Sequence, residues 1–415
     1  MNLTSDQSRG YKILMSGCNA SINGNAGTGK TYMLNKFIDD SRDLGKNIVI
    51  VAPTGIAALN IGGVTVHRAF KAPIGPLVTK VTKAEKIIIM ADIIILDEIS
   101  ICRVDLFDFI AQQIYIANYI RNKNGLDNIQ FVISGDFFQL PPVLPEKERE
   151  TLENYYGYPI GNGFAFQSKA WSYFNFKNIV LNETMRQSDA EFVLNLNKAR
   201  TGDLSCITYF NRNCSKEEFK DTILLCGTNK DAENRNISEM NKITSKSKRY
   251  QAVITGEVKE SDKMTYDILD LKVGARVITL INDKDELYKN GSLGTITRMT
   301  DNGVYVKFDD GGEFYIEYYC WEICNYKLQN GKVIKEVIGT FEQLPLKIAY
   351  AITIHKSQGQ TYEKANINPY CWDYGQLYVA LSRVRSIEGI HLTSFIQNRF
   401  LKTSRDVQNY YRNLK

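Results

Sequence analysis

The sequence lacks the features that mark membrane proteins and secreted proteins. It contains no apolar run of about 18 residues, the length that a membrane-spanning helix needs. Residues 1–11 are polar, which argues against a secretory signal peptide. We therefore expect an intracellular protein, in the cytoplasm of a bacterial host or, for a viral or eukaryotic source, in a virus factory or the nucleus.

Cysteine and histidine are present but are not arranged to bind a metal. None of the eight cysteines forms a Cys-x-x-Cys pair, and the three histidines lie far from the closest cysteines, Cys320 and Cys324. Structural zinc sites use such closely spaced ligands. We therefore expect free, buried thiols.

The sequence also has little net charge. It has 51 basic and 46 acidic residues, a net charge of +5, so any surface that binds nucleic acid must be a local one. The 415 residues are enough for two or three domains.

Residues 24–31 match the pattern Gly-x-x-x-x-Gly-Lys-Ser/Thr, which binds nucleotide phosphates. Its glycines let the backbone wrap an anion, and residues 30–39 predict a helix whose N-terminus favours phosphate. We expect Lys30 to reach the β- and γ-phosphates and Thr31 to ligate Mg²⁺. The alternative is a glycine-rich turn. The predicted ATP contacts in this loop are Gly24, Asn25, Ala26, Gly27, Thr28, Gly29, Lys30 and Thr31.

Apolar runs at 47–52, 92–96 and 130–134 predict parallel strands that are buried on both faces. Ligands bind at the carboxyl ends of such strands. Thr54 follows the first run and is a candidate phosphate contact, while Gln139 follows the third and is a candidate sensor of the γ-phosphate.

Two adjacent carboxylates, Asp97 and Glu98, follow the second run. One carboxylate at a strand end can hold Mg²⁺ while its neighbour orients the attacking water. We assign Asp97 to the metal and Glu98 to general-base chemistry.

Two arginines and one glutamine are further candidates for ATP chemistry. Arg186 follows a predicted strand at 179–181 and suits an arginine finger, although a surface ion pair is the alternative. Arg383 lies near the end of a predicted helix at 376–385. The Gln7 amide has the donor and acceptor that an adenine edge requires, but spacing alone favours a polar residue on a helix surface.

The second half of the chain has a different pattern of predicted secondary structure. Short alternating strands with Asn-Gly and Asp-Gly turns predict a small barrel-like β insert at 290–341. Residues 71–83 form a shorter insert, either a loop or a pin. The α/β pattern returns at 346–361, where polar side chains are available for backbone phosphates.

Six motifs in a fixed order resemble those of superfamily-one helicases, and most closely the petite-integration-frequency (PIF-one type) branch, with Dda and RecD as relatives. They are GNAGTGKT at 24–31, APTGIAA at 52–58, LDEIS at 96–100, GDFFQLPPV at 135–143, HKSQGQT at 355–361 and VALSRV at 379–384.

The resemblance implies two RecA-like P-loop NTPase domains, each a parallel sheet flanked by helices. They would be residues 1–188 and residues 189–289 with 342–415, and the insert at 290–341 would be an SH3-like subdomain. ATP would lie between the two domains, and single-stranded DNA across both. The family moves 5′ to 3′, so we expect an ATP-dependent DNA helicase, a monomeric motor on single-stranded and forked DNA in replication, repair or recombination.

The resemblance also assigns roles to individual residues. Gln7 would contact adenine and Gln139 would couple the γ-phosphate to the domain interface. Arg186 and Arg383 would be the two fingers, with Gly359 and Gln358 near the nucleotide. The implied DNA contacts are Thr54, His67, Phe70, Thr353, His355 and Lys356.

Some features depart from the family or leave other functions open. His67 and Phe70 suit a single strand together, but for either alone core packing is the alternative. Arg68 follows His67 where the family has a small hydroxyl residue, and Asn23 replaces a small residue before the phosphate loop. Two other functions also remain: a motor on RNA or without unwinding, and an ATP-gated single-strand binding module.

Overall fold

The computed structural model describes residues 3–187, 189–309 and 311–414, which form two compact units. Unit 1 comprises Met1–Arg186, Cys324–Glu336 and Thr403–Lys415, and unit 2 comprises Gln187–Ile323 and Val337–Lys402. The domain boundary predicted at residue 188 lies outside the described residues. In the part of the chain that is described, no helix is long and apolar enough to cross a membrane.

Unit 1 alternates strands and helices along the chain. Its strands are Ala20–Gly24 (β1), Ile48–Ala52 (β2), Val64–Thr65 (β3), Ile93–Leu96 (β4), Gln130–Gly135 (β5) and Lys177–Leu181 (β6). Its helices are Ser5–Met15 (α1), Lys30–Asp43 (α2), Gly55–Asn60 (α3), Val66–Ala69 (α4), Lys86–Met90 (α5), Val104–Lys123 (α6) and Glu146–Tyr156 (α7). The strands form one sheet in the order β3-β2-β4-β5-β1-β6, and every neighbouring pair is parallel. The predicted parallel sheet is confirmed.

The central strands bury side chains on both faces of this sheet. Ile48 and Ile50 of β2 belong to the core that contains α1 and α2, whereas Val49 and Val51 belong to the core that contains α6. Successive strand residues point to opposite faces. The unbroken apolar runs in the sequence therefore reflect burial on both sides.

The short insert at 71–83 is an irregular loop that Arg103 fastens to α6 and α7. The Arg103 guanidinium donates to the carbonyl of Gly75 (2.9 Å) and pairs with Asp105 (2.6 Å) and Glu148 (2.5 Å). Asp105 is fully buried and accepts from the backbone N–H of Leu77 at 2.9 Å. Whether this loop acts as a strand-separating pin is not tested by its conformation, and both alternatives stay predictions.

Unit 2 contains helices, a parallel sheet and antiparallel β structure. Its helices are Ala190–Thr201 (α8), Cys206–Asn213 (α9), Asn229–Lys242 (α10) and Gln376–Leu381 (α11). Its strands are Leu224–Cys226 (β7), Ser247–Gln251 (β8), Val253–Gly256 (β9), Ile268–Lys272 (β10), Arg276–Thr279 (β11), Leu293–Met299 (β12), Gly303–Phe308 (β13), Glu313–Glu317 (β14), Tyr319–Gln329 (β15), Lys332–Gln343 (β16), Leu346–Ile348 (β17), Ala351–Thr353 (β18), Ala365–Ile367 (β19) and Ile390–Leu392 (β20). The last residues of β15 and the first of β16 belong to unit 1.

The strands of unit 2 separate into parallel and antiparallel sheets. The order β18-β7-β19-β20 forms a parallel sheet, and β14-β13-β12-β11-β17 forms an antiparallel one. The remaining strands pair as β10-β8 and β15-β16-β9. Because β11 and β17 lie outside 290–341, the antiparallel sheet is larger than the insert expected from the sequence. The domain limits themselves stay a prediction.

The part of the β15–β16 segment that belongs to unit 1 contacts the sheet of that unit through the Tyr326 side chain. The Tyr326 hydroxyl accepts from the backbone N–H of Ile50 (2.9 Å) and donates to the carbonyl of the same residue (3.2 Å). On that side of β2, the partner strand β3 pairs only with Val51 and Ala52. Tyr326 therefore satisfies backbone groups that a longer β3 would have paired.

The last described helix, Arg405–Asn413 (α12), packs on unit 1, although the sequence analysis grouped 342–415 with the second domain. The Tyr411 ring stacks on Phe138 with the ring centroids 4.7 Å apart. Its hydroxyl donates to Asn23 Oδ1 at 3.3 Å. The unusual Asn23 before the phosphate loop is thus a contact of α12.

We predict that Tyr326→Phe destabilises unit 1 by about 1–3 kcal/mol, because two buried backbone groups of Ile50 lose their partner. Denaturant unfolding should show a lower midpoint, and the Ile50 amide should exchange its hydrogen faster. Tyr115→Phe is the matched control, because Tyr115 is 57% exposed in the same unit. Equal midpoints and equal Ile50 exchange in parent and Tyr326→Phe would contradict this role.

Candidate nucleotide site and strand contacts

The candidate ATP residues of unit 1 follow strands that end at one edge of the sheet. Strand β5 lies between β1 and β4, with Asn23 opposite Gly135 and Leu96 opposite Ile133. All three strands are parallel, so the segments after them leave the sheet on the same side. Three segments follow these strands: the phosphate loop after β1, the Asp97–Glu98 pair after β4 and the segment that contains Gln139 after β5.

The phosphate loop joins β1 to the first turn of α2. Gly27 (φ +81°) and Gly29 (φ +73°) have left-handed backbone conformations that favour glycine. Gly29 directly precedes Lys30, the first residue of a 14-residue helix. The loop therefore ends at a helix N-terminus, where N–H groups and the helix dipole attract phosphate. The helix predicted at 30–39 is present, and phosphate binding by the loop stays a prediction.

The Lys30 side chain lies along the loop. Its ammonium donates to the carbonyls of Gly24 (2.8 Å) and Asn25 (3.1 Å). Thr31 follows it on an exposed part of the first helical turn. A bound polyphosphate would offer Lys30 stronger, charged acceptors than these carbonyls.

Asp97 is a half-buried carboxylate close to Lys30. Burial raises the pKa of Asp97, while the backbone N–H of Glu98 and the charge of Lys30 oppose that shift. Among the described residues there is no group of three or more acidic, histidine or cysteine side chains suited to a metal ion. Binding of Mg²⁺ by Asp97 and the Thr31 hydroxyl, together with phosphate oxygens and water, stays a prediction.

Glu98 has a strained backbone. Its φ of +52° and ψ of +46° are left-handed, which is uncommon for a residue other than glycine. Such strain costs roughly 1–3 kcal/mol and persists where the surroundings enforce it. The next residue, Ile99, is buried and packs so closely on Gly135 that a Cβ there would lie 2.9 Å from Ile99 Cγ2. This tight packing fixes the turn that carries Glu98.

Gln139 lies four residues beyond the end of β5 and is buried. Its backbone N–H donates to the carbonyl of Asp136 at 2.9 Å, which closes a tight turn. Asp136 is itself fully buried and accepts from the backbone N–H of Phe138 at 3.2 Å. The turn gives Gln139 a fixed position after the strand between β1 and β4.

Arg186 lies directly against the phosphate loop. A Cβ on Gly27 would be 2.6 Å from Arg186 Cβ and 3.5 Å from Arg186 Nε. The neighbouring Met185 donates its backbone N–H to the carbonyl of Gly27 at 2.8 Å. The segment after β6 therefore brings a guanidinium to the loop, as an arginine finger requires.

Gln7 is buried beside the same loop, so its interpretation as a polar residue on a helix surface is wrong. Its Oε1 accepts from the backbone N–H of Thr4 (3.0 Å), which caps α1. Its Nε2 donates to the carbonyl of Thr28 (3.1 Å). Gln7 thus ties α1 to the phosphate loop, and contact with adenine stays a prediction.

Arg383 is held inside unit 2. It follows α11 by two residues, beyond the end of that helix, and is only 2% exposed. Its guanidinium donates to the carbonyls of Val379 (3.0 Å) and Gln360 (3.3 Å) and to Ser382 Oγ (2.9 Å). Gly359, with φ +83°, precedes Gln360. The structure therefore brings together Arg383 and the glycine predicted to lie near the nucleotide.

The three predicted strand contacts of unit 1 differ in exposure. Thr54 is exposed and its hydroxyl caps α3 by accepting from the N–H of Ala57 at 3.3 Å. His67 is half-buried on α4. Phe70 is fully buried in the core that contains α6. Phe70 therefore presents no surface for stacking, and the alternative of core packing describes it.

The predicted strand contacts of unit 2 lie at the end of β18, with Thr353 its last residue and His355 and Lys356 just beyond it. Thr353 is buried and its hydroxyl accepts from the backbone N–H of Lys356 at 3.3 Å, while the Lys356 side chain is exposed. Burial lowers the pKa of His355, and the nearby Asp373 carboxylate opposes the shift. The sequence analysis did not single out Lys347. Burial and the positive charge of Lys356 lower the pKa of Lys347 to about 8. Its signal was a lone lysine in the apolar segment 344–349.

Comparison with known proteins identifies relatives along the whole chain. The model of the PIF1-like helicase family matches residues 3–205. The ATP-dependent DNA helicase Pif1 of Campylobacter jejuni is 30% identical, over 95% of this chain and 94% of its own. Pif1 of Bacteroides sp. in complex with ADP-AlF4 is 33% identical with a TM-score of 0.87, covering 100% of this chain and 97% of its own. Bacteroides Pif1 bound to single-stranded DNA is 33% identical with a TM-score of 0.70, covering 100% of this chain and 97% of its own.

The relatives differ in length. The chain spans 60% and 64% of the PIF1 helicases of Emericella nidulans and Danio rerio, which are longer than the Campylobacter relative. The likeness to the Bacteroides structure confirms the predicted α/β fold with RecA-like domains. Identity of 30% across nearly all of the Campylobacter relative agrees with the order of motifs in this sequence. The chain therefore belongs to the PIF1-like helicase family.

Proposed function

We propose that this protein uses ATP hydrolysis to move 5′ to 3′ along single-stranded DNA and to unwind duplex DNA ahead of it. The class of enzyme, an ATP-dependent DNA helicase, follows from membership of the family. The observation that carries the proposal is the convergence, on one edge of the sheet of unit 1, of the phosphate loop, Asp97–Glu98 and Arg186. A module that only binds a strand has no need of a general base and an arginine beside its phosphate loop.

The names of the relatives support DNA as the substrate. The Campylobacter relative is named an ATP-dependent DNA helicase. The Bacteroides protein has been crystallised with ADP-AlF4 and with single-stranded DNA, and a Pif1 structure that is 33% identical to this chain concerns unwinding at forked double-stranded DNA by two coordinating Pif1 helicases. We extend these partners to this chain, as an intracellular, monomeric motor on single-stranded and forked DNA in replication, repair or recombination.

The chemistry assigned to unit 1 is hydrolysis of the terminal phosphate bond. Glu98 accepts a proton from the attacking water as it reaches the γ-phosphorus. Lys30 and Arg186 stabilise negative charge on the phosphate oxygens, and Gln139 contacts the γ-phosphate. Mg²⁺ held by Thr31 and Asp97 would neutralise further charge on the phosphates.

Unit 2 supplies the second finger and further strand contacts. We assign Arg383 to stabilise the charge of the transition state. Its hydrogen bond to the carbonyl of Gln360 holds it beside Gly359, the glycine predicted to lie near the nucleotide. Domain limits at 1–188, at 189–289 with 342–415, and at 290–341 for the SH3-like insert are part of the same proposal. Cycles of ATP binding and release then alternate the grip of the two domains on the strand.

We predict that Lys30→Ala lowers DNA-stimulated ATP hydrolysis by roughly 100-fold or more, because the loop loses the cation that contacts the phosphates. A phosphate-release assay measures the rate, and circular dichroism checks the fold. Lys36→Ala is the control. Lys36 lies on the same helix in an exposed pair with Asp40, which contributes little to stability. Hydrolysis by Lys30→Ala at the parent rate would contradict the assigned site.

We predict that Arg383→Ala retains ATP binding but loses about 1,000-fold in hydrolysis, as expected for an arginine finger. Binding is measured with a fluorescent ATP analogue and hydrolysis by phosphate release. Because Arg383 also makes buried hydrogen bonds, Arg383→Lys is compared and thermal unfolding is recorded for both variants. Loss of binding or of folding, with no separate defect in hydrolysis, would assign Arg383 a structural role.

We predict that forks with a 5′ single-stranded tail are unwound only with ATP, and that forks with a 3′ tail are not. The reason is the 5′-to-3′ movement that the family resemblance implies. A gel or fluorescence strand-separation assay compares DNA tails of both polarities and a 5′ RNA tail. ATP hydrolysis without unwinding, or preference for RNA, would favour the translocase. Strand binding without hydrolysis would favour the ATP-gated binding module.

A further inference from the structure

The loop at 368–375 of unit 2 presents an exposed tryptophan that no step above uses. It connects β19 to α11 and contains three aromatic residues, Tyr370, Trp372 and Tyr374. Trp372 is 57% exposed. Large aromatic side chains on a protein surface are favoured binding contacts, because they offer much area at little entropic cost.

The Trp372 side chain and its backbone are fixed by hydrogen bonds. The indole Nε1 donates to the carbonyl of Gly227 (3.0 Å). The Trp372 backbone N–H donates to Gln376 Oε1 (2.9 Å), and its carbonyl accepts from Lys402 Nζ (2.8 Å). Gln376 is fully buried and itself donates to the Gly227 carbonyl at 2.9 Å. With its N–H already bonded, the exposed indole can offer a ligand chiefly its ring faces.

The loop lies at the sheet edge that carries the predicted strand contacts. Strand β7 pairs in parallel with both β18 and β19, so all three end on the same side. His355 and Lys356 follow β18, and the loop with Trp372 follows β19. Asp373 is close enough to His355 for the two charges to interact. Trp372 is therefore next to the residues that the sequence analysis assigned to the strand.

The surroundings carry positive charge and further aromatic rings. Lys402 and Lys356 are exposed, and the Arg399 guanidinium lies 4.8 Å from the centre of the Phe400 ring. Phe400 packs edge-on against Tyr370 with centroids 4.9 Å apart. Cations interleaved with aromatic rings are typical of surfaces that bind single-stranded nucleic acid, where bases stack and phosphates pair with the cations.

We propose that Trp372 stacks on a base of single-stranded DNA, with Lys356 and Lys402 contacting the adjoining phosphates. This inference rests on the proposed function, because it adds a contact to the same strand. The hydrogen bond to Gly227 holds the indole in the orientation for stacking. Stacking tolerates any base, as a motor that moves along any sequence requires.

The experiment measures binding of an oligothymidine of about 12 nucleotides to the full chain. Trp372→Ala should weaken binding by roughly 10- to 100-fold, the range that loss of one stacked base gives. Trp372→Phe keeps a ring but lacks the N–H, and should stay within several-fold of the parent. For an abasic oligomer of equal length, parent and Trp372→Ala should bind equally, since no base is present to stack.

Tryptophan fluorescence gives a second readout. The chain has three tryptophans, and Trp321 is only 6% exposed while Trp171 packs in the core of unit 1. Oligothymidine should quench the parent, and most of this quenching should be absent in Trp372→Phe. The matched control is Tyr266→Ala, which removes an aromatic ring that is 63% exposed elsewhere in unit 2. It should bind oligothymidine like the parent.

Several outcomes would overturn the stacking contact. They are parent-like binding by Trp372→Ala, an equal loss for abasic and normal oligomers, and a Trp372→Phe variant as weak as Trp372→Ala. The last would assign Trp372 to holding the loop through Gly227. A larger effect with oligouridine would assign the contact to RNA instead. If the parent neither binds oligothymidine nor hydrolyses ATP faster in its presence, the proposed function itself fails, a result distinct from the others.

Discussion

The structure depends first on the parallel register of the buried sheet in unit 1. Strands β4 and β5 place alternate side chains in two cores, so a shift of one residue would move each apolar side chain into the opposite core. The same register decides where each strand ends. The phosphate loop, Asp97 and the turn before Gln139 therefore meet at one edge because hydrophobic burial fixes the strands, and their chemistry follows from that packing.

The shape of the phosphate loop also depends on side chains distant in sequence. Gln7 bonds to the loop from the start of the chain and Arg186 packs on it from the segment after β6. A side chain at Gly27 or Gly29 would collide with one or the other. Glycine is thus required twice over at these positions, by the left-handed backbone and by these neighbours. Because Arg186 already contacts the loop, its side chain can bind the phosphates without a large movement of the chain.

Patterns that act over a few residues made much of this predictable. The phosphate loop and the apolar runs identified α2, β2, β4 and β5, because periodicity reports burial directly. Burial of a single side chain is less evident in the sequence. The resemblance predicted that Phe70 contacts a strand, but it is core; spacing alone favoured a surface position for Gln7, but it is buried. An aromatic ring or an amide suits either environment, and only the neighbours that the fold supplies decide between them.

These local patterns could not predict contacts between segments that are distant in the sequence. Asn23 shows why such contacts matter. Asn23 departs from the family pattern and is a polar side chain near the end of the buried strand β1. It is fully buried, and such a group is costly unless it is hydrogen-bonded. Its amide donates to Ser21 Oγ (2.9 Å) and its oxygen accepts from Tyr411, which is 388 residues away in the sequence. Asn23 and α12 therefore form one feature, in which the tail helix satisfies the polar group directly before the phosphate loop.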